Sequence, residues 1–540
     1  TNYIVHNGKL SFLFDAEHNT TATHSGEEVA NGLIKAIRAV APEKVCAIVT
    51  DNARNMRKAW KIVKREFPHI ATIGCYAHGI QLFIGDVCKK VTEGPIEITI
   101  GDPWTSDGEQ CNIFPIGSTS SNDFDDEDEF IVPLLTADEF GVVDGASDDD
   151  EDIQPEGDDE TELHLPSTGS RARATVCAYS PNGIIASANW IARFFKSSPK
   201  ALAKLHAVQL RLYGKRISIC LPGATRWGSQ LRCLQQVAKS RCAIEAVLND
   251  EELKRDVRKD RSRAAKMVVV TQAVADSWFW ECVHDFIYAM EPLVRILYVL
   301  ESDSVTVAVA YDKIAEYASF LPKSMFGRRF PQVISLFQHR VQFLQNSRVG
   351  LAYLLDPRFR GRHLTMSHKA AVEDAVRKEF DIDVQCALAQ YLIADGPFAD
   401  ERTWRISSQP QITPHAWWTI MKRECGRHVG RAYDAFCDLA MGLMCIPASS
   451  ASSERSWSTF GFIHSDRRNR LDSERLKKLV RVYSHIRTER VLQANAAPRF
   501  SRFATTSLDD ILRIPEYGGT DFMAALEELR LSLLQDVGDD

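Results

Sequence analysis

A small α/β unit followed by a long helical region is the fold this sequence predicts, and three observations carry it. Residues 1–90 alternate between strand-like and helix-like apolar patterns. Residues 91–162 hold 24 Asp and Glu without one Lys or Arg. Beyond residue 187 the apolar spacing is helical almost throughout.

Residues 3–6 and 10–15 read as two short strands joined by a turn at Asn7-Gly8. Over 26–40, Val29, Leu33, Ile34, Ile37 and Val40 recur at helical spacing. The apolar run 45–49 ends in Thr50-Asp51-Asn52, as expected of a strand buried on both faces. A helix over 56–67 is stopped by Pro68. A short strand and Gly74-Cys75-Tyr76-Ala77-His78 then run into an apolar helix near 79–88. Further helices are expected over 191–196, 209–213, 231–247, 278–300, 311–320, 330–343, 370–394 and 417–442. A last one, 474–490, puts Leu476, Leu479, Val480, Tyr483 and Ile486 on one face, opposite Arg475, Lys477, Lys478, Arg481 and Arg487. That apolar face needs a cover, either the body of the protein or a second chain.

Most of 91–170 reads as disordered, because like charges at this density repel and little apolar surface offsets the ordering entropy. The chain carries −7 overall, so setting those 24 carboxylates aside leaves +17 on the rest. A basic remainder favours polyanionic partners, nucleic acid first. No apolar run reaches the ~18 residues that span a bilayer, so no membrane partner is expected. The first residues lack the basic region and apolar core of a secretory signal. Thirteen scattered cysteines, an odd number, point to reduced thiols inside the cell.

Several segments carry candidate chemistry. Asp51, at the end of a buried strand, stands where α/β folds place functional carboxylates and can hold Mg²⁺ or Mn²⁺; the competing reading is a helix N-cap. Cys75-x-x-His78 and Cys425-x-x-His428 have zinc-like spacing, but each supplies only two of the four ligands usually needed. Arg226-Trp227 is a candidate DNA contact, with a buried, Arg-stacked tryptophan as the alternative. Residues 254–266 hold seven Lys or Arg in thirteen, read as a solvated helix face or phosphate contacts. Asp356-Pro357-Arg358-Phe359 and Trp417-Trp418 read as a turn and as aromatic packing. Residues 446–471, IPASSASSERSWSTFGFIHSDRRNRL, run from small residues to Glu454 and then to Arg467, Arg468 and Arg470. Small residues permit close approach, and the arginines can meet phosphates or carboxylates.

This last segment resembles the C-terminal signature of hAT-type (hobo/Ac/Tam3) transposases. TDNARNM around Asp51, GCYAHGIQL around His78 and the Arg226-Trp227 block are similar to further hAT blocks, in the same order. The resemblance covers roughly 1–90 and 180–490. It implies an α/β RNase H-like core, incomplete at the N-terminus, interrupted by a mostly α-helical insertion domain, with a helical C-terminal dimerisation region. The implied division is 1–90 partial core, 91–170 acidic insertion, 180–440 helical insertion domain, 441–490 dimerisation region and 491–540 tail. It further implies Asp51, Glu454 and His78 as catalytic-site residues, with Asp51 and Glu454 on Mg²⁺ or Mn²⁺. Arg226, Trp227, Arg467, Arg468 and Arg470 would contact DNA, and Trp227 would support a flipped base or hairpin end. Leu471, Leu476, Leu479, Val480, Tyr483 and Ile486 would dimerise. Paired metals held by such carboxylates activate water and then a DNA 3′-hydroxyl.

The sequence departs from the family pattern at its start. It opens at what reads as the second strand, so the acidic residue of the first strand is not seen, and neither is an N-terminal zinc finger. Asp102 lies in the acidic insertion and Asp15 is a poor substitute. The expectation is a nuclear, homo-oligomeric, DNA-binding, transposase-like protein, catalytically incomplete in this chain. The alternative is a domesticated, non-enzymatic regulator.

Overall fold

Gly8 turns the chain at φ +85°, a left-handed conformation that glycine adopts without strain, and β1 (Asn2–His6) pairs antiparallel with β2 (Ser11–Ala16). A Cβ at Gly8 would also lie 2.7 Å from the Cys445 sulfur, so the turn is pressed against the distant C-terminal half. The computed structural model describes residues 2–8, 11–16, 25–91, 179–223, 227–302, 305–342, 346–463 and 475–483.

Helix α1 (Gly26–Val40) starts where the sequence places it, through a capping box in which Ser25 and Glu28 exchange hydrogen bonds. Strand β3 (Ala47–Thr50) lies parallel to β4 (Ala71–Gly74), and α2 (Arg54–Glu66) crosses between them. Helix α3 (Tyr76–Lys90) follows directly. Alternation along β3 divides two cores. Ile48 joins Val29, Ala30, Ile34, Ile37, Ala59, Val63 and Ile70 between α1 and α2. Ala47 and Val49 face the opposite way, where Ile73 and α3 belong to the large core of the helical region.

The helical region is organised around one long apolar helix. In chain order it comprises α4 (Pro181–Lys196), α5 (Pro199–Tyr213), α6 (Trp227–Lys239), α7 (Arg241–Leu248), α8 (Glu251–Val257), α9 (Arg261–Ala275) and α10 (Ser277–Leu300). It continues with α11 (Val307–Phe320), α12 (Met325–Arg329), α13 (Gln332–Gln342), α14 (Ser347–Leu355), α15 (Met366–Glu379) and α16 (Ile382–Ile393). α17 (Glu401–Ser407), α18 (Pro414–Val429), α19 (Asp434–Leu443) and α20 (Ala451–Ile463) complete the named helices. Residues 475–483 are also helical. α10 buries residues around most of its circumference, among them Trp280, Ile287 and Leu293, as a central helix must. α3 packs against α10 and against α13, where Phe83 meets Phe337 edge-on at 5.0 Å between ring centres.

The described chain is mostly helical with small sheets and a helical C-terminal region. Its two sheets are separate two-stranded pairs, β1–β2 and β3–β4. Three stretches read as single helices are each two. The break within 231–247 is at Ser240, that within 370–394 at Phe380-Asp381, and that within 417–442 around Gly430 at φ +63°. Asp381 caps its new helix by accepting the Val384 amide. Apolar spacing does not register such breaks, because each new helix resumes burial on the same core. The expectations for most of 91–170, for 491–540, and for Arg226, Arg467, Arg468, Arg470, Leu471 and Ile486 fall outside the described residues.

Candidate functional site

Cys75 joins three distant pieces of the chain. Its amide donates to the Thr50 carbonyl at 2.7 Å, continuing the β3–β4 pairing to the edge of Asp51. Its carbonyl accepts the Asn52 side-chain amide at 3.3 Å. Its sulfur accepts two backbone amides at 3.4 Å, from His78 and from Ser450. Beside it the Tyr76 amide donates to the Ala448 carbonyl at 3.0 Å. The end of β3, the start of α3 and residues 448–450 therefore meet at one fully buried thiol.

Residues 446–455 are fixed from their other side too. The Val307 amide donates to the Ile446 carbonyl and the Ala448 amide to the Val305 carbonyl, forming a short antiparallel bridge between Thr306 and Pro447. The Ser449 hydroxyl donates to the Leu300 carbonyl at 2.6 Å, and Arg455 donates to the Glu301 carbonyl at 2.7 Å. Small residues let this segment thread between α3 and the end of α10. Ala448 is fully buried and Ser449 nearly so.

The three residues singled out for catalysis are gathered at this end. Asp51 accepts the Ala53 amide at 3.1 Å, just before α2, while Ala53 itself is the N-cap and makes no side-chain cap. Asp51 is therefore not the helix cap that its position allowed. Glu454 is exposed in the first turn of α20. His78 is half-buried, and burial pushes its imidazole below the ordinary histidine value; Asp51 and Glu454 pull it back in part, and Arg340 adds to the lowering. Burial pushes the Cys75 thiol up, with Glu454 adding to the rise. A protonated thiol is a poor metal ligand. The Cys75-x-x-His78 spacing is instead the spacing of an N-cap and the third helical residue, and it caps α3.

A divalent cation of the kind the resemblance implies would need hard oxygens converging on one point. Asp51 and Glu454 supply two carboxylates. Among the described residues, the group of three whose donor atoms all lie within 4.8 Å of one another is Asp312, Glu316 and His363, far along the helical region. Asp51, His78 and Glu454 do not close in this way, so the residues present do not fit a complete metal centre. Nor is the Asp312 group vacant. Arg362 forks onto both Asp312 oxygens at 2.8 and 3.0 Å, and the Tyr353 hydroxyl donates to one of them at 2.8 Å.

Sequence reasoning missed Asn52, Cys75 as a junction, Ser450 and Arg340. Asn52 is nearly buried, and its side-chain oxygen has no protein partner. Arg340 pairs with Asp86 of α3 at 2.5 Å, a contact across 254 positions that no local pattern announces. The cap spacing at Cys75 was the one available signal.

The other predicted segments are mostly structural. Trp227 starts α6 half-buried against the main core. Next to it, Gly228 admits the Tyr298 hydroxyl, which a Cβ would meet at 1.6 Å. Asp356 is fully buried and grips Arg358 of its own turn at 2.7 and 2.9 Å. Trp417 and Trp418 are buried, donating to the Thr403 and Leu355 carbonyls. Cys425 is buried near Cys437 with a sulfur separation of 3.9 Å, whereas His428 is exposed, so these two do not act as a ligand pair. In the C-terminal helix Val480 is fully buried and Leu476 half-buried, while Leu479, Val482 and Tyr483 are exposed. Arg481 donates to the Phe14 carbonyl and pairs with Asp15 of β2. The single apolar face expected there is thus divided, Val480 serving this chain's own core.

The clamped small-residue segment thus brings Glu454 to the end of the molecule that holds Asp51 and His78. Residues 1–99 match a family model described as a domain of unknown function (DUF659), and residues 397–486 match the hAT family C-terminal dimerisation region. These two matches support the resemblance to hAT transposase-like proteins, and residues 397–486 are similar to that family's dimerisation region. No curated protein matches it. No helix among the described residues is long and apolar enough to cross a membrane.

Proposed function

We propose that the chain is a nuclear, DNA-binding protein that acts as a homodimer or higher homo-oligomer. In this reading β3, α2, β4 and α3, with Glu454 brought in on α20, are elements of an RNase H-like core. The observation that carries the reading is the junction at Cys75, which holds the ends of β3, β4 and residues 448–450 together, with Cys75 and Ser450 lying 375 positions apart. It sets Asp51, His78 and Glu454 at one end of the parallel pair, where open α/β sheets place their ligands. The matched dimerisation region and the basic balance of the chain outside 91–162 support the remaining parts.

Mg²⁺ or Mn²⁺ at two closed carboxylates would supply activated water for strand cleavage. The alternative reading is a non-enzymatic regulator that keeps the scaffold and binds DNA. Arg226, Trp227, Arg467, Arg468 and Arg470 are the proposed DNA contacts.

The test is binding of the full chain to labelled hairpin, nicked and plain duplex DNA, with Arg226→Ala/Trp227→Ala beside it. The expected result is binding to all three and a larger loss on hairpin and nicked DNA in the variant. No binding by the unaltered chain overturns the proposal. Equal losses on every substrate remove the Trp227 role.

A further inference from the structure

The cations of α2 lie along one exposed face of the helix. Arg54, Arg57, Lys58, Lys61, Lys64 and Arg65 are all exposed. At 100° per residue their spacing confines them to about 120° of arc. The opposite side of the helix is committed, since Ala59 and Val63 are fully buried in the core shared with α1. Trp60 donates its indole to the Thr50 hydroxyl at 3.1 Å, which fixes the rotation of the helix beside the candidate site. The charged row therefore cannot turn inward.

Few carboxylates answer this row. Lys58 pairs with Glu27 at 2.6 Å, and Glu66 at the far end is taken by Arg38 of α1. Arg54, Arg57, Lys61, Lys64 and Arg65 form no ion pair among the described residues. The comparison is the stretch 254–266, equally rich in cations. There Lys254 pairs with Glu251, Lys259 with Asp256 and Arg263 with Asp260. Those pairs answer three of the seven cations there, where on α2 Lys58 alone of the six is answered. On α2 the charge is left over.

We propose that the outer face of α2 is a docking surface for the phosphate backbone of duplex DNA, leading toward Asp51. This rests on the DNA-binding reading above and adds to it the element along which the duplex lies. From Arg54 to Arg65 the row is about 16 Å long. A duplex presents one negative charge per about 1.7 Å of axis, so a row of that length meets several phosphates. Asp51 accepts the amide of Ala53, the residue before the helix, so the row begins at the candidate site. Contacts of this kind position the duplex and carry no sequence preference.

The experiment uses the full chain and a fluorescent duplex, with affinity measured by anisotropy over a series of salt concentrations. One variant carries Arg57→Gln, Lys61→Gln, Lys64→Gln and Arg65→Gln. The control carries Lys254→Gln, Lys259→Gln and Arg263→Gln. Circular dichroism confirms that both fold. If all four α2 cations touch phosphate, the slope of log affinity against log salt becomes shallower by about 3.6 in the α2 variant and stays unchanged in the control. The returned-charge variant Arg57→Lys/Arg65→Lys keeps the original slope. An unchanged slope in the α2 variant overturns the docking surface while leaving the DNA-binding reading in place. Equal changes in variant and control also overturn it, because bulk charge then suffices. Absence of binding by the unaltered chain removes both.

Discussion

The Ser450 backbone amide donates to the Cys75 sulfur at 3.4 Å, across 375 positions of sequence. This contact decides where Glu454 stands relative to Asp51 and His78, because the α20 helix begins one residue later. A thiol suits this position, since it accepts two amides while remaining a small apolar group in a dry junction.

Replacing the acceptor tests the junction. Cys75→Val fills the volume but strands the His78 and Ser450 amides, and an unsatisfied buried donor costs about 1–3 kcal/mol. Urea unfolding of Cys75→Val therefore shows a loss of that order or more. Cys75→Ser, which still accepts, loses less. Equal losses would show that the two amides do not depend on the sulfur.

Acid weakens this fold through its histidines. His78, His206, His284, His363 and His368 are each held below the ordinary value, with burial the largest cause. A lowered folded-state value means that the unfolded chain binds protons first. Their contribution is complete above about pH 6.5 and is lost as pH falls through the lower folded values. The melting temperature at pH 5.5 is therefore below that at pH 7.5. The drop is smaller in His368→Asn, which removes a nearly buried ring whose Nδ1 lies 3.0 Å from the Tyr311 hydroxyl. An identical drop in that variant would exclude His368.

The C-terminal helix separates folding from association. Leu479→Glu with Tyr483→Glu changes two exposed apolar residues and yields a folded monomer by light scattering. Val480→Glu places a charge where exposure is nil and lowers the melting temperature instead. Deleting 440–490 is a poorer test, because it removes the residues that bridge to Val305 and Val307. A persistent dimer in the double variant would move the interface elsewhere in 397–486.

Asp312, Glu316 and His363 have metal-like proximity, but Arg362 occupies the carboxylate. Zn²⁺ should leave the melting temperature unchanged. Arg362→Leu should destabilise the protein by about 1–3 kcal/mol, less than the loss of a fully buried pair because Arg362 is 48% exposed and Tyr353 still donates. A rise in stability with Zn²⁺ would reassign the group.

Much of the fold was legible in the sequence where one local rule decides it. Gly8 marked the hairpin, the helical spacing of Val29 to Val40 marked α1, and the apolar run before Asp51 marked β3. Helix breaks at Ser240 and Asp381 were not legible, since burial resumes on the same side. The separation of β1–β2 from β3–β4 was also hidden, because strand patterns carry no record of pairing partners. At the site, Asp51, His78 and Glu454 were singled out through resemblance. Arg340 and Ser450 were not, because their partners lie hundreds of positions away. Val480 is buried within this chain, whereas the apolar stripe alone left open whether its cover is the same chain or another.

The most direct test of the proposed function is the mass of the complex formed with a labelled duplex, measured by light scattering after size exclusion. The expected mass corresponds to a whole number of chains, two or more, on the duplex. It falls to one chain or none when Leu479 and Tyr483 are both changed to Glu. A single unaltered chain per duplex, or no complex at all, would contradict the claim that this protein binds DNA as a homo-oligomer.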